Sequence, residues 1–284
     1  MSKIELLKGD CIDKLKGLQD NSIDSVVTDP PYEIGFMGKG WDDSGIANNP
    51  QLWKEVLRVL KPGGHLLSFS HSRTYHRQAV AVEDAGFEIR DQIMWIYGSG
   101  FPKSHNIGKA VDKLQGNERE VVENPYAHKR PNGNAWVESI SNSTGPEEKT
   151  KGQSQWEGWG TALKPAWEPI IVARKKGSQR NVDYSQFYYI PKPSKSEKNA
   201  GLEAFEDGKN THPTVKPVKL MKKLVEEFTE EGSTVLDPFT GSGTTGMASV
   251  ISDRDFIGCE LTSEYIPLAK ARIGFAQENK SFFD

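Results

Sequence analysis

No stretch of this 284-residue chain approaches the roughly 18 consecutive apolar residues that a membrane span needs. The first residues, Met1-Ser2-Lys3-Ile4-Glu5, lack the apolar core of a secretion signal. Cysteine is nearly absent. Cys11 and Cys259 are far apart, and neither belongs to a CxxC or Cys/His cluster. A zinc site is therefore not indicated, no metal is expected, and the expected compartment is a reducing cytoplasm. An excess of basic charge is also missing: 36 Lys+Arg against 39 Asp+Glu leaves a net charge of -3. That balance argues against nucleic-acid binding unless the charge is unevenly placed.

It is unevenly placed. Residues 97–200 hold 16 basic and 11 acidic residues, a net of +5, which leaves -8 for the flanks. The flanks read as alternating α and β elements. Ile4–Leu7 is a strand and Cys11–Leu18 a helix with Ile12, Leu15 and Leu18 at helical spacing. Ser22–Thr28 is a strand that stops at Asp29-Pro30-Pro31-Tyr32, because two prolines end any regular element. A helix over 52–60, a strand over 65–69, a helix over 72–85 and a strand over 87–97 follow, with Lys61-Pro62-Gly63-Gly64 ending the first of these. The pattern returns with a helix from Pro217, strands at 233–237 and 255–260, and helices at 244–252 and 263–277. Between them, residues 98–165 show little periodicity, yet four of the seven tryptophans fall at 136–167, too many for a plain linker. Trp167–Ala173 is strand-like and 191–210 loop-like. The length suits one large α/β domain with an insertion.

Gly241, Gly243 and Gly246 satisfy G-x-G-x-x-G between a strand and a helix, the context a nucleotide-type cofactor loop requires. Glu260 ends the next strand, where a carboxylate can accept hydrogen bonds from ribose hydroxyls. In a dinucleotide enzyme the glycines follow the strand directly, to bring pyrophosphate onto the helix N-terminus. Here Asp237-Pro238-Phe239-Thr240 intervenes, and Asp237 would repel pyrophosphate but suit a cofactor with an α-ammonium group, S-adenosyl-L-methionine. Fewer than fifty residues remain after Asp237, too few for a doubly wound sheet, so the missing strands must come from the N-terminal part. The expected fold is thus a circularly permuted, Rossmann-like α/β sheet with both loops at one crevice.

Asp29-Pro30-Pro31-Tyr32 by itself reads equally as a rigid turn or as a catalytic clamp. The clamp has a chemical logic. An exocyclic base amine is a poor nucleophile because its lone pair is delocalised, and two acceptors on its N–H groups favour the sp3 geometry that can attack a methyl sulfonium. Asp29 offers a charge-assisted acceptor, the Pro30 carbonyl a second one held by the stiff Pro30-Pro31 backbone, and Tyr32 a face for a flipped-out base. Methylation at pyrimidine C5 needs a cysteine following proline, and neither Cys11 nor Cys259 does.

With these residues in place, the sequence resembles the β-group of DNA amino-methyltransferases. Their order is catalytic motif, target-recognition region, cofactor motif. The resemblance covers residues 4–101 and about 211–273. It rests on Gly9-Asp10, Asp29-Pro30-Pro31-Tyr32, Leu60-Lys61-Pro62-Gly63-Gly64, His212-Pro213-Thr214-Val215-Lys216-Pro217, Leu236-Asp237 through Thr245, and Gly258-Cys259-Glu260 onward. It implies a catalytic S-adenosyl-L-methionine-binding domain of residues 1–97 and 205–284, and a target-recognition insertion of 98–204. Asp29, Pro30, Pro31 and Tyr32 would be catalytic. Asp10, Phe239, Gly241, Gly243, Asp237 and Glu260 would surround the cofactor, with His212, Thr214 and Lys216 near its methionine end. Tyr97 would line the base pocket. Lys129, Arg130 and Arg174 are phosphate candidates within a basic insertion, although such runs are more often a solvated face.

The implied partner is double-stranded DNA, and a homodimer is an expectation of the family alone. The expected activity is site-specific transfer to adenine N6, since Asp leads the tetrapeptide where cytosine-N4 members more often carry Ser; cytosine-N4 transfer is the alternative. An NAD-dependent oxidoreductase built on the glycine loop, methylation of RNA or of a protein amide, and a DNA-binding module without activity stay open at this point. Nothing in the sequence specifies the DNA site read or a restriction-enzyme partner.

Overall fold

The computed structural model describes residues 2–35, 40–97, 106–123, 148–159, 166–178, 182–205 and 208–283. The chain divides into two compact units, one made of Met1–Trp95 with Glu168–Asp284, the other of Ile96–Trp167. The contact boundary thus falls at 167/168 and not at 204/205. The strand-like run after Trp167 explains this, because it joins the main sheet.

The first unit is built on an eight-stranded sheet. Its strands are β1 (Ile4–Lys8), β2 (Ile23–Thr28), β3 (Leu60–Phe69), β4 (Glu88–Ile96), β7 (Trp167–Arg174), β8 (Phe187–Tyr189), β9 (Thr234–Asp237) and β10 (Asp255–Glu260), in the spatial order β1-β10-β9-β2-β3-β7-β4-β8. The pairs from β1 to β3 are parallel and β3/β7 is antiparallel. The permuted order is therefore real: β9 lies between β10 and β2, with its parallel partner β2 drawn from the other end of the chain. From β9 the chain proceeds toward the β1 edge, and from β2 toward β8. The β9/β2 boundary is the topological switch point, the place where a doubly wound sheet opens a ligand crevice at its strand C-termini.

Helices cover both faces. α1 (Cys11–Lys16), α2 (Pro50–Val59) and α3 (Tyr75–Asp84) pack Leu15, Leu52, Trp53, Val56 and Val82 against Val26, Leu66, Ile171 and Leu236. The sequence favours α2 strongly: Asn49 caps it through Gln51 N, Pro50 occupies its first turn, and its apolar residues form one stripe. α6 (Val218–Phe228), α7 (Thr244–Ile251) and α8 (Tyr265–Glu278) contribute Val218, Met247, Val250, Ile273 and Ala276 to a second core around Phe256. Phe256 and Ile257 are adjacent on β10 and serve different cores, so the two helix sets lie on opposite faces. The short helix α5 (Lys195–Asn199) sits in the stretch expected to be loop. Lys61-Pro62-Gly63-Gly64 ends α2 but also opens β3, whose pairing with β2 shifts register there. Gly63, at φ +83, makes that irregularity possible, since a Cβ there would strike the Ser178 carbonyl.

The second unit contains α4 (Ile107–Gln115) and the antiparallel pair β5 (Glu120–Glu123) and β6 (Glu148–Lys151). Arg119 ties them together, pairing with Asp112 of α4, with Glu157 at 2.8 Å and with the Thr150 carbonyl at 3.0 Å. The Trp156 and Trp159 rings meet edge to face at 5.5 Å, and both are exposed.

Candidate active site

Four neighbouring strand ends assemble the candidate site. β2 delivers Asp29–Tyr32, β9 delivers Asp237–Gly241, β10 delivers Glu260 and β1 delivers Asp10. The first two meet directly: Thr28 Oγ1 donates to Asp237 Oδ1 at 2.7 Å across the switch point.

Asp237 is only 2% exposed, and its carboxylate is occupied. Besides Thr28, Thr245 Oγ1 donates to Oδ2 at 2.6 Å and Phe239 N donates to Oδ1 at 3.0 Å. Burial pushes its pKa up to about 6 against the pull of these donors, with the nearby Asp29 charge adding to the rise. In this structure Asp237 organises the loop from inside. The carboxylate expected at the cofactor's ammonium thus carries three donors of the protein itself.

The glycines have distinct reasons. Gly241 and Gly243 sit at φ +51 and +82, the left-handed region. A Cβ at 241 would come within 2.8 Å of His212 Nε2, and at 243 within 3.1 Å of Ala269. Gly246 instead lets α7 approach Ile273 and Phe256. Glu260 Oε2 accepts from Gly241 N at 2.8 Å and Oε1 from Thr262 N at 2.7 Å, which fixes the carboxylate at the loop. Asp10 caps α1 through Oδ1, bonded to Ile12 N and Asp13 N, and is exposed. Phe239 is half-buried against the first core.

His212 packs edge-on to Tyr265 at 4.8 Å, and its Nδ1 accepts from Thr214 N at 3.4 Å. Burial, then the Lys216 and Arg272 charges, pushes its pKa down to about 4, so the ring is neutral near pH 7.

Lys216 lies on Asp29. Its Nζ bonds Asp29 Oδ2, stands 3.6 Å from Glu168 Oε2, and is 5.2 Å from the ring centres of both Tyr32 and Phe69 and 5.9 Å from that of Trp95. This aromatic enclosure favours the cation. Burial pulls the ammonium pKa down, but the Asp29 and Glu168 charges outweigh it and raise it overall. Burial raises the Asp29 pKa despite Lys216, and Glu168 raises it further. Asp29 Oδ1 is buried and accepts no hydrogen bond. Tyr32 is held at three points: its N–H on Asp42 Oδ1 at 2.7 Å, its carbonyl accepting from Thr74 Oγ1 at 2.7 Å, and its hydroxyl donating to Glu168 Oε2 at 2.8 Å. Burial and the two carboxylates push its phenol pKa well above the usual value.

The remaining expected site residues have the following surroundings. Arg174 is 8% exposed at the end of β7 and bonds Glu88 at 2.5 Å. It is therefore a sheet residue with a local partner, because the basic run begins on a strand, and its buried guanidinium does not suit an exposed phosphate contact. Tyr97 is buried, its N–H bonded to the Ala166 carbonyl at 3.0 Å. Trp95, not itself an expected site residue, lies in the core and donates to the Ile190 carbonyl at 2.7 Å. Lys129 and Arg130 lie outside the described residues. Glu168 was not anticipated from the sequence. The one signal for it is an acid inside an otherwise apolar strand run, Trp167–Ala173. Among the described residues no cluster of His, Cys, Asp and Glu suits a metal, and no helix is long and apolar enough to cross a membrane.

A doubly wound sheet with a glycine loop at one side of its switch point and Asp-Pro-Pro-Tyr at the other defines a nucleotide-cofactor transferase of the methyltransferase type. The chain belongs to the DNA methylase family, whose model matches residues 23–271, and within it to the amino-methyltransferase group. It is 26% identical to the type II methyltransferase M2.MboI of Moraxella bovis, over 94% of this chain and 86% of that one. It is 27% identical to the DNA adenine methyltransferase YhdJ of Escherichia coli K12, over 95% and 83%. Among solved structures, the M1.HpyAVI-SAM complex shares 23% identity and a TM-score of 0.55, covering 95% of this chain and 99% of that one. PvuII DNA methyltransferase, described as cytosine-N4-specific, shares 18% identity and a TM-score of 0.62, covering 100% and 94%.

Proposed function

We propose that this enzyme transfers a methyl group from S-adenosyl-L-methionine to the N6 amine of adenine in double-stranded DNA. The observation that carries the reading is Asp29 Oδ1, a buried carboxylate oxygen with no hydrogen-bond donor, at the switch-point end of β2. The site also suits the cofactor: no side chain rises from Gly241 and Gly243, and Asp10 and Glu260 present carboxylates at the adjoining strand ends. Asp10, Phe239, Gly241, Gly243 and Glu260 would hold it, with His212 and Thr214 beside the loop. When bound it supplies an electrophilic methyl group, the N–C bond forming as the S–C bond breaks.

The protein's own residues orient the amine. Asp29 Oδ1 accepts one of its N–H bonds and the Pro30 carbonyl the other, so the nitrogen lone pair is released from the ring and directed along the line of attack. Lys216 holds Asp29 in one rotamer through Oδ2, which leaves Oδ1 for the substrate. Tyr32, fixed at backbone and hydroxyl, presents its face to an extruded base. As the nitrogen becomes positive, the neighbouring carboxylate stabilises it, and the proton that the methylated nitrogen must lose departs along its hydrogen bond to Asp29 Oδ1. The insertion is the DNA-reading element in this account.

Asp at the head of the tetrapeptide and the adenine-specific name of the Escherichia coli relative favour adenine. Cytosine-N4 transfer uses the same geometry and is the second reading. Mass spectrometry of nucleosides from DNA incubated with enzyme and cofactor tests the choice: N6-methyladenine is expected, and N4-methylcytosine as sole product would overturn it.

A further inference from the structure

We propose that Glu168 is a positioning residue for this reaction: it locks Tyr32 through the phenol hydroxyl and shares the Lys216 ammonium with Asp29, so that Asp29 stays a strong acceptor when the target amine arrives. The inference rests on the reading of Asp29 as the amine's acceptor.

Glu168 is 5% exposed, on the second residue of β7, the first antiparallel partner of β3. A charged side chain in such a place is costly unless it is engaged. Its Oε2 accepts from Tyr32 at 2.8 Å and faces Lys216 Nζ at 3.6 Å. Asp29 holds the same ammonium more closely, through Oδ2. A lysine paired with a single carboxylate would largely cancel its charge. A lysine drawn on by two leaves more negative potential at Asp29, and the negative potential of Glu168 at Asp29 acts in the same sense. That surplus matters where positive charge grows on the attacking nitrogen.

The charged and titratable groups around Asp29 come from every neighbouring element. Lys216 and the neutral His212 precede α6, Glu168 is on β7, and Tyr32 follows β2. Asp237 is on β9, His71 follows β3 with its ring centre 6.2 Å from that of Tyr32, and Asp42 bonds the Tyr32 backbone. Among these, Glu168 and Tyr32 act on Asp29 with opposite sign. The Glu168 charge raises its pKa, whereas the Tyr32 hydroxyl lowers it.

Two substitutions separate the roles. Glu168→Gln keeps an oxygen for the Tyr32 hydroxyl and removes the charge. Tyr32→Phe keeps the charge and removes the hydroxyl. The carboxyl 13C signal of Asp29, titrated in the free protein, should move to lower pKa in Glu168→Gln and to higher pKa in Tyr32→Phe. In methyl transfer, Glu168→Gln should lower kcat about 10- to 100-fold with KM for DNA changed less than about twofold. An unchanged Asp29 titration in Glu168→Gln, or shifts of the same sign in both variants, would overturn charge sharing. A wild-type kcat in Glu168→Gln would overturn the positioning role. Because the titration needs neither DNA nor cofactor, it fails or succeeds independently of which base the enzyme methylates. Should Glu168→Gln not fold, Glu168→Asp decides: it keeps the charge but draws it back from Tyr32 and Lys216, so kcat should fall, and a wild-type kcat there would overturn the positioning role.

Discussion

Replacing Asp237 by Asn should remove a pH-dependent destabilisation that the wild-type protein carries. The Asp237 carboxyl is fully enclosed, and burial lifts its pKa from 3.8 to about 6. That is roughly two pH units, or about 3 kcal/mol at about 1.36 kcal/mol per unit. The sign follows from linkage. Below about pH 4 the group is protonated in both folded and unfolded chains. Between about pH 4 and 6 the unfolded chain releases its proton first, so the folded state is progressively disfavoured, and above about pH 6 the loss is complete. Asn fills the same volume. Its oxygen still accepts from Phe239 N and Thr28 Oγ1, and the Thr245 hydroxyl can turn to accept from the new amide. Whatever that exchange costs does not vary with pH. Urea unfolding followed by tryptophan fluorescence, run on both proteins across this range, gives the difference directly. Wild type should lose about 3 kcal/mol relative to Asp237→Asn between about pH 4 and pH 7. Parallel profiles would refute the account of a buried, strained carboxylate at the switch point.

Gly241→Ala should weaken the cofactor loop, because the residue sits at φ +51 and the new methyl would meet His212 Nε2 at 2.8 Å. A cost of about 1–3 kcal/mol in stability is expected, with a reduced thermal shift on adding S-adenosyl-L-methionine. Lys216→Met should cost about 3–5 kcal/mol by urea unfolding, since it strands Asp29 without its ion-pair partner. Lys216 is what holds the Asp29 pKa down against burial, so without it that pKa rises further and the loss should grow as pH increases. Trp53→Ala should cost about 3–5 kcal/mol, as the side chain is fully buried and its Nε1 donates to the Ala47 carbonyl at 2.8 Å.

The sheet was legible because its signals are local. The glycine loop follows a short apolar strand, the double proline marks the end of β2, and counting the residues after Asp237 forces the permuted order. The site was less legible where partners are distant in sequence. Thr28 and Asp237 are 209 residues apart, so nothing near Asp237 reveals that donor. Lys216 was expected beside the cofactor, yet its firmest partner is Asp29, 187 residues away. Arg174 read as a surface cation because Lys175 and Lys176 follow it, but strand pairing buries it on Glu88. Glu168 is hard to read from the sequence because β7 declares itself a strand through its apolar residues alone. The cost of a lone acid within such a run is a physical clue that composition and periodicity do not weigh.

The most direct measurement is methyl transfer from labelled S-adenosyl-L-methionine to unmethylated DNA by wild type and Asp29→Ala, with cofactor affinity and melting temperature measured on both. Wild type should transfer label to a base amine. Asp29→Ala should lose at least about 100-fold in kcat while still folding and binding cofactor. Transfer by Asp29→Ala at the wild-type rate would contradict the role of Asp29-Pro30-Pro31-Tyr32 as the amine clamp.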